Sequence, residues 1–409
     1  MKVKSSLISI LDIGTTKIVC LIAYVGPDNN IKIVGVGHQV SQGFRAGIIT
    51  DSRLAESAII AAINAAEKMS GEIVDKLIVS VSGAQLHSHL LNAKINLGGD
   101  FVTAKDINRV INIALDKTAQ TGQEIIHYFP LEYSTENASG IKDPNLIYAS
   151  ELGLKIHIIS ADSSAVLNLA NCLARCQVDI GNFILSSYAS GVACLSNDEL
   201  ELGVTLIDIG GATTDIAIFN QGNLIHTDQI PIGGIHLTSD IARGLSIDLA
   251  TAERIKTLYG SALPNNFDNK KIIELSSSND DKYHEPLSIE AKELSNIVFP
   301  RIEEIFELTK VRLEKRNYFR PLTKKIVLTG GTSQMTGFRE YATHVFGSQV
   351  RIGAPKNTYG LTAEYKGVSF SSAIGMLELA AKHINKTTNI NNRMNQGKVS
   401  YLKKLLKWF

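Results

Sequence analysis

At 409 residues, with 44% apolar and 20% charged side chains, the chain has room for two or more domains and the makeup of a soluble globular protein. Its 41 basic and 40 acidic residues leave no cationic excess to neutralise phosphates, which excludes a general nucleic-acid binder. The four cysteines (Cys20, Cys172, Cys176, Cys194) lack CxxC spacing and a histidine pair, so they read as buried thiols. The N-terminus has no signal-peptide pattern and no run reaches transmembrane length, so a reducing cytoplasm fits.

In chain order, residues 7–22 (LISILDIGTTKIVCLI) read as two apolar strands joined by a tight Asp-Ile-Gly turn. Residues 31–38 form another strand, and residues 41–51 a glycine-punctuated loop. Asp51 can cap the helix that follows; Leu54, Ala58, Ala62, Ala65 and Met69 form its apolar face and Gly71 stops it. Residues 77–82 are a short strand, and the whole is an α/β pattern. Between residues 86 and 161 the character changes to an inserted subdomain of one helix against a few strands. Thr103 and Asp106 resemble an N-terminal cap before a helix carrying Ile107, Val110, Ile111, Ala114 and Leu115. Residues 124–133 and 152–160 are strand-like, and their His127 and His157 have no partner spacing, which marks them as structural. Residues 164–176 return to helix and 182–185 to strand.

Residues 204–219 (VTLIDIGGATTDIAIF) repeat the first pattern. Gly210 and Gly211 let the backbone approach an anion and turn N–H groups outward, and Asp208 at the strand end places a carboxylate beside that cradle, where phosphate-bound Mg²⁺ takes oxygen ligands. Two copies of strand–DIG–turn–strand about two hundred residues apart point to two related halves facing one nucleotide.

The segment IPIGGIHLTSDIARGL, a helix over Leu249–Tyr259 and a polar loop at 265–285 come next. A long helix follows over residues 288–316, interrupted or kinked at Pro300. Ile302, Ile305, Phe306, Thr309 and Leu313 share one of its faces, with Arg301, Glu304 and Lys315 on others. The strand Lys325–Thr329 ends in Gly330 and Gly331, with Thr332 and Ser333 able to cap the next helix; this joint is assigned the adenosine end of a nucleotide. No GxxxxGK[ST] pattern occurs, which sets the P-loop class aside. Residues 371–382 are a last apolar helix, and 383–396 read as a flexible polar linker.

The final segment winds into a two-faced helix. Val399, Tyr401, Leu402, Leu405, Leu406, Trp408 and Phe409 cover half the wheel, while Lys403, Lys404 and Lys407 share an opposite arc with Ser400. Half-burying five to seven large apolar side chains gives roughly 5–8 kcal/mol, and each lysine adds about 1 kcal/mol near anionic lipid. Ordering so short a helix offsets much of this, so one tail binds reversibly and many tails on a polymer bind firmly.

With its two DIG hairpins, VLTGG joint, insert and basic amphipathic tail, the sequence resembles the FtsA family, bacterial cell-division proteins of the actin/Hsp70 ATPase superfamily. DIGTTK, DIGGATTDIAIF and VLTGG are superfamily signals. ELGV before the second hairpin, QVRIGAP (349–355), the position of the insert and the tail are more specific to FtsA.

The resemblance implies an α/β, actin-like (ribonuclease H-like) two-lobe ATPase fold. Residues 1–85 and 162–197 would form the first lobe core, with 86–161 the insert beside it. Residues 198–228 and 318–383 would form the second lobe core and 229–317 its subdomain, followed by a linker at 384–397 and a membrane helix at 398–409. It implies ATP and Mg²⁺. Gly14, Thr15, Thr16 and Lys17 would hold phosphates from one side, and Gly210, Gly211, Ala212 and Thr213 from the other. Asp12 and Asp208 would sit near the metal with Asp215 in support, while Gly233, Glu253, Lys256, Gly330 and Gly331 approach the nucleoside. The implied partners are the C-terminal peptide of the tubulin-like FtsZ, docking near Arg301 and Glu304; other copies of the chain, in filaments; later division proteins, through the insert; and the anionic inner membrane, at its cytoplasmic face and the division septum.

One departure concerns chemistry. In this superfamily Glu-Pro often follows the strand at 183–185, where a carboxylate or amide positions the attacking water, but here Ser186 and Ser187 stand there. A serine is no base at neutral pH, so at most very slow hydrolysis is expected. The alternatives are an active ATPase or phosphotransferase of the same fold, and a PilM-like pilus-assembly homologue, which would lack the amphipathic tail.

Overall fold

The computed structural model describes residues 5–26, 30–83, 86–119, 122–263, 272–275, 287–315, 324–357 and 359–394. The duplicated sequence pattern becomes a duplicated sheet. In the first, strands run in the order Asp179–Leu185, Lys76–Val81, Ser6–Ile13, Lys17–Val25, Ile31–Val40. The last three form an antiparallel meander and the first two join in parallel. The second repeats this with Gln349–Ile352, Lys325–Thr329, Val204–Ile209, Thr214–Asn220 and Asn223–Ile230. The central strands read as continuous apolar runs because both faces of each sheet are covered.

The helix Ser52–Ser70 starts at Asp51, whose Oδ1 accepts from the N–H groups of Arg53 (3.0 Å) and Leu54 (3.1 Å), and it ends at left-handed Gly71. Its buried face is Ala55, Ala58, Ile59, Ala62, Ile63 and Ala66, whereas Leu54 and Met69 are exposed. The expected face was therefore rotated too far. The physical reason lies in the neighbouring strand, where Gly35 and Gly37 let Ala66 and Ala62 press their backbone onto the sheet, a distance at which larger side chains do not fit.

The insert is a three-stranded antiparallel sheet with Tyr148–Asp162 in the middle, flanked by Gln123–Ser134 and His87–Phe101, and the helix Ala104–Ala119 covers one face. The strand His87–Phe101 was missed in the sequence because polar residues break its apolar alternation. Thr103 does open the helix, but its hydroxyl goes to the Asp106 carboxylate (2.5 Å), which also accepts the Thr103 N–H. The insert has its own core around Ile95, Val110, Ala114, Leu152 and Ile156, while Phe129 and Ile159 reach into a core shared with both lobes.

In the second lobe, Gly234–Leu245 and Leu249–Tyr259 pack with a long helix, Ala291–Lys315, that continues across Pro300. Ile302, Ile305, Phe306, Thr309 and Leu313 are all buried, as their spacing implies. The polar loop is interrupted by a strand, Ile272–Leu275, paired with Leu287–Glu290.

Two helices join the lobes. Ser186–Cys194 follows the first sheet in sequence but also lies on the second sheet's strands, and Ser371–Met394 follows the second sheet but lies on Ser6–Ile13 and its neighbours. The helix at the end of residues 318–383 thus packs against strands of the first sheet and shares a core with residues of both sheets. The two helices touch each other between the sheets, with Ala189, Ala193, Ile374 and Leu377 in one core with Ile10, Leu21, Leu206 and Phe219. The last helix also runs on to Met394, through most of the expected linker, whereas the tail at 399–409 lies outside the described residues. No helix among the described residues is long and apolar enough to cross a membrane.

Candidate functional site

Between the two sheets opens a cleft of about 630 Å³, within the range of small-molecule sites. Its floor is the pair of matching turns. In the first, the Gly14 N–H donates to the Lys17 carbonyl at 2.9 Å; in the second, the Gly210 N–H donates to the Thr213 carbonyl at 2.9 Å. The turns face each other so closely that a Cβ on Gly211 would run into the methyl of Thr16. Behind the second turn, the Gly210 carbonyl accepts from Gly234 N–H (3.0 Å) and Thr332 Oγ1 (2.9 Å), and the Gly211 carbonyl accepts from Ile235 N–H (2.7 Å). Each peptide is planar and trans, so the N–H groups of Gly211 and Ala212 point away from those partners.

The structure brings Asp12, Gly14, Thr15, Thr16, Lys17, Asp208, Gly210, Gly211, Thr213, Asp215, Glu253, Lys256, Gly330 and Gly331 to this one cleft. Two expected residues do not line it. Ala212 is buried beneath the turn, and Gly233 sits behind it with its N–H on His236 Nδ1 (3.1 Å), leaving Gly234 at the wall. The wall also includes Met335, Ser369 and Ser372. Met335 was within reach of sequence reading, four residues after Gly331; Ser369 lies in, and Ser372 just after, a 3₁₀ turn that carries no recognisable pattern. Thr332 and Ser333 lie in a short 3₁₀ helix rather than capping the next α-helix. Their hydroxyls donate to the Gly210 and Gly330 carbonyls.

Charge is concentrated at the cleft floor. Asp12 accepts from Ser372 Oγ (3.0 Å), and burial pushes its carboxyl up from the usual range. Asp208 accepts from Ser190 Oγ (2.6 Å) and is pushed up to about 6 by burial, with the nearby Asp12 charge adding to this. Asp215 is held by Gln229 Nε2 (2.6 Å) and pushed up to about 7 by burial and the charge of Asp208. Burial brings Lys17 down to about 8 although Asp12 and Asp208 both favour its charge, and its Nζ lies 3.3 Å from the centre of the Phe370 ring. Lys17 interacts with the Asp12 and Asp208 carboxylates, which are half-buried, and Asp215 is buried. These carboxylates beside the two glycine turns are oxygen donors of the kind an added cation would use.

At the far wall, Lys256 Nζ bonds Glu253 Oε2 (2.6 Å), Thr238 Oγ1 (2.9 Å) and the Gly234 carbonyl (3.2 Å), and Glu253 also accepts from Thr238. Ser186 lines the cleft at the start of its helix, while Ser187 turns to Thr227 Oγ1 (3.5 Å). Away from the cleft, Arg301 is engaged by Asp240 (Nε to Oδ2, 2.7 Å) and by Glu304. His127 and His157 are buried and hydrogen-bonded, in keeping with a structural role. All four cysteines are free, three of them buried and Cys176 partly so.

Residues 205–375 match the model of the cell division protein FtsA, and residues 83–160 match the SHS2 domain inserted in FtsA. The cell division protein FtsA of Rhizobium meliloti is 39% identical over 91% of this chain and 87% of its own length. That of Escherichia coli K12 is 30% identical over 97% and 96%. Among solved structures, a chain of the PilM–PilN type IV pilus biogenesis complex superposes with a TM-score of 0.65 at 13% identity, covering 91% of this chain and 98% of that one. MreB5 of Spiroplasma citri bound to ADP superposes with a TM-score of 0.54 at 16% identity, covering 94% and 98%. These likenesses establish an actin-like fold. With the two matching turns, the insert and identity of 30–39% to FtsA over nearly the whole length, the chain belongs to the FtsA family of cell division proteins.

Proposed function

We propose that the cleft binds ATP with Mg²⁺ and that the protein polymerises on the inner membrane, anchors FtsZ filaments to it and recruits later division proteins through the insert. The observation that carries the nucleotide reading is the pair of facing turns with three carboxylates and Lys17 beside them. MreB5, which shares the fold, is named as bound to ADP and, in a second structure, to AMPPNP.

In this reading the backbone N–H groups of residues 15–16 and 211–213 meet the phosphates, and Lys17 supplies a point charge between them. Mg²⁺, when bound, neutralises charge shared by phosphates and carboxylates. Asp12 and Asp208 would hold it, mostly through water, and Asp215, fixed by Gln229, would support them. Lys256 and Glu253 flank the ribose and adenine, and Gly330 and Gly331 let the base lie against backbone. Ser186 offers a hydroxyl where a base would activate water, so the site holds ATP and turns it over slowly at most.

Lipid monolayers imaged by negative stain with and without ATP test the reading. Ordered filaments on anionic lipid that depend on ATP and on residues 399–409 are expected. Soluble monomers under all conditions would refute it. Phosphate release at several per second, lost in Asp208→Ala, would instead establish the active-ATPase alternative.

A further inference from the structure

The insert is joined covalently only to the first lobe, at the neck where His87 Nε2 meets Asp162 Oδ1 at 3.0 Å. It nevertheless grips the second lobe as well. His157, fully buried, lies with Nδ1 2.8 Å from the Leu224 carbonyl. A carbonyl only accepts, so the imidazole donates there, and its Nε2 accepts the Ser88 hydroxyl proton at 2.8 Å. The Ser88 oxygen then accepts from the Thr227 N–H (3.3 Å) and from His226 Nδ1–H (3.0 Å). With this tautomer of His157, the four hydrogen bonds that meet at Ser88 and His157 are mutually compatible as donors and acceptors across a seam between insert and second lobe. On the first lobe, His127 Nε2 accepts the Leu185 N–H at 3.0 Å. Tyr188 lies between, its ring 5.1 Å from Phe129 of the insert and 6.4 Å from Phe219 of the second lobe.

Both grips end beside the cleft. Leu185 immediately precedes Ser186 at the cleft wall, and its helix carries Ser190, which holds Asp208. Leu224 and His226 lie on the strand whose Gln229 holds Asp215. Separating the lobes must therefore pull the insert off one of them, and the non-covalent seam at Ser88, His157 and His226 is the joint that yields.

We propose that the insert is a strap across the cleft: its seam to Leu224, His226 and Thr227 restrains lobe opening and so sets how fast a bound nucleotide leaves. The release half rests on the nucleotide reading above; the opening half does not. A partner that occupies the insert and loosens the seam would thereby open the cleft.

The opening half is tested without nucleotide. In a Cys176→Ser background, spin labels at the exposed positions Met69→Cys and Leu258→Cys report the distance between lobes. Ser88→Ala combined with His157→Ala is expected to broaden and lengthen that distribution. An unchanged distribution in a variant that still melts cooperatively overturns the strap. The release half uses a fluorescent ATP analogue and two opposed changes, without labels. The broken seam should release the analogue about tenfold faster, the effect of losing roughly one hydrogen bond's worth of restraint. Ser88→Cys with Thr227→Cys, oxidised to a crosslink, should release it more slowly than wild type and recover on reduction. A seam that only stabilises the fold would leave the crosslinked rate at the wild-type value, which would refute the proposal. If no nucleotide binds, the function reading fails while the spin-label distances still decide the strap.

Discussion

Gln229 donates its side-chain amide to Asp215 at 2.6 Å from the directly opposite position on the adjacent strand, deep in the cleft floor. This single bond does not offset the burial and the neighbouring Asp208 charge, which together hold the Asp215 carboxyl up at about 7. Ionising Asp215 in the folded chain is therefore costly. Its folded value lies above the unfolded one, so its unfavourable contribution grows as pH rises from about 4 to about 7 and stays at its full size above that. Asp215→Asn is expected to raise the melting temperature of nucleotide-free protein at pH 8, by the equivalent of a few kcal/mol. The gain should vanish by pH 4. Equal melting temperatures at pH 8 would contradict the buried-charge account.

The same variant exposes an opposite trend. His127 and His157 are held neutral by burial, at about 4, well below an unfolded histidine. The unfolded chain takes up those protons first, so their contribution to stability is complete above about pH 6.5 and is lost as pH falls toward 4, up to about 3 kcal/mol for each. In the wild type the raised aspartates oppose this loss. Urea unfolding of Asp215→Asn should therefore show a steeper decline between pH 6.5 and 4 than the parent.

Gly211 and Thr16 make contact across the cleft, and the space is set by one methyl. Gly211→Ala should weaken ATP binding at least tenfold, as seen by calorimetry, with little change in melting temperature. Adding Thr16→Ser removes the opposing methyl and should restore most of the affinity. Failure of the second change to rescue would place the cause elsewhere.

Arg351 forks onto Glu199 (Nε to Oε1, 2.8 Å; Nη2 to Oε2, 2.6 Å) and also donates to the Cys194 carbonyl at 2.9 Å. Glu199 is held near 2 by that arginine, and it also closes the Ser196 capping box. Arg351→Lys keeps the charge but loses the fork, and a loss of about 2 kcal/mol in urea unfolding is expected. A change below a few tenths would show that the fork contributes little.

Two partner tests complete the set. Removing residues 399–409 should abolish co-sedimentation with anionic vesicles while leaving ATP affinity intact. Arg301→Glu should weaken capture of the FtsZ tail peptide. Asp240→Asn, which removes a carboxylate that Arg301 now occupies, is the control. If the arginine itself contacts the peptide, this substitution should strengthen capture or leave it unchanged.

Much of the fold was legible in local pattern. The two DIG hairpins, the buried face of Ala291–Lys315 and the insert's helix follow from periodicity that a reader can count. Reading failed where a partner decides the outcome. The face of Ser52–Ser70 depends on Gly35 and Gly37 of a different strand, and the helix Ser371–Met394 runs through residues whose composition reads as linker. Ser190, Ser372 and Gln229 are ordinary residues in sequence, and only the folding-together of distant segments sets them on the three aspartates.

Sequence alone determined the duplication, the carboxylate at the end of each DIG strand, the glycines of each turn and the place of the insert, because each rests on neighbours along the chain. Tertiary structure decided which groups hold those carboxylates, how far their proton affinities move, and that the insert spans both lobes. Those properties depend on burial and on contacts between residues far apart in sequence, such as Ser88 with His226 and Ser372 with Asp12.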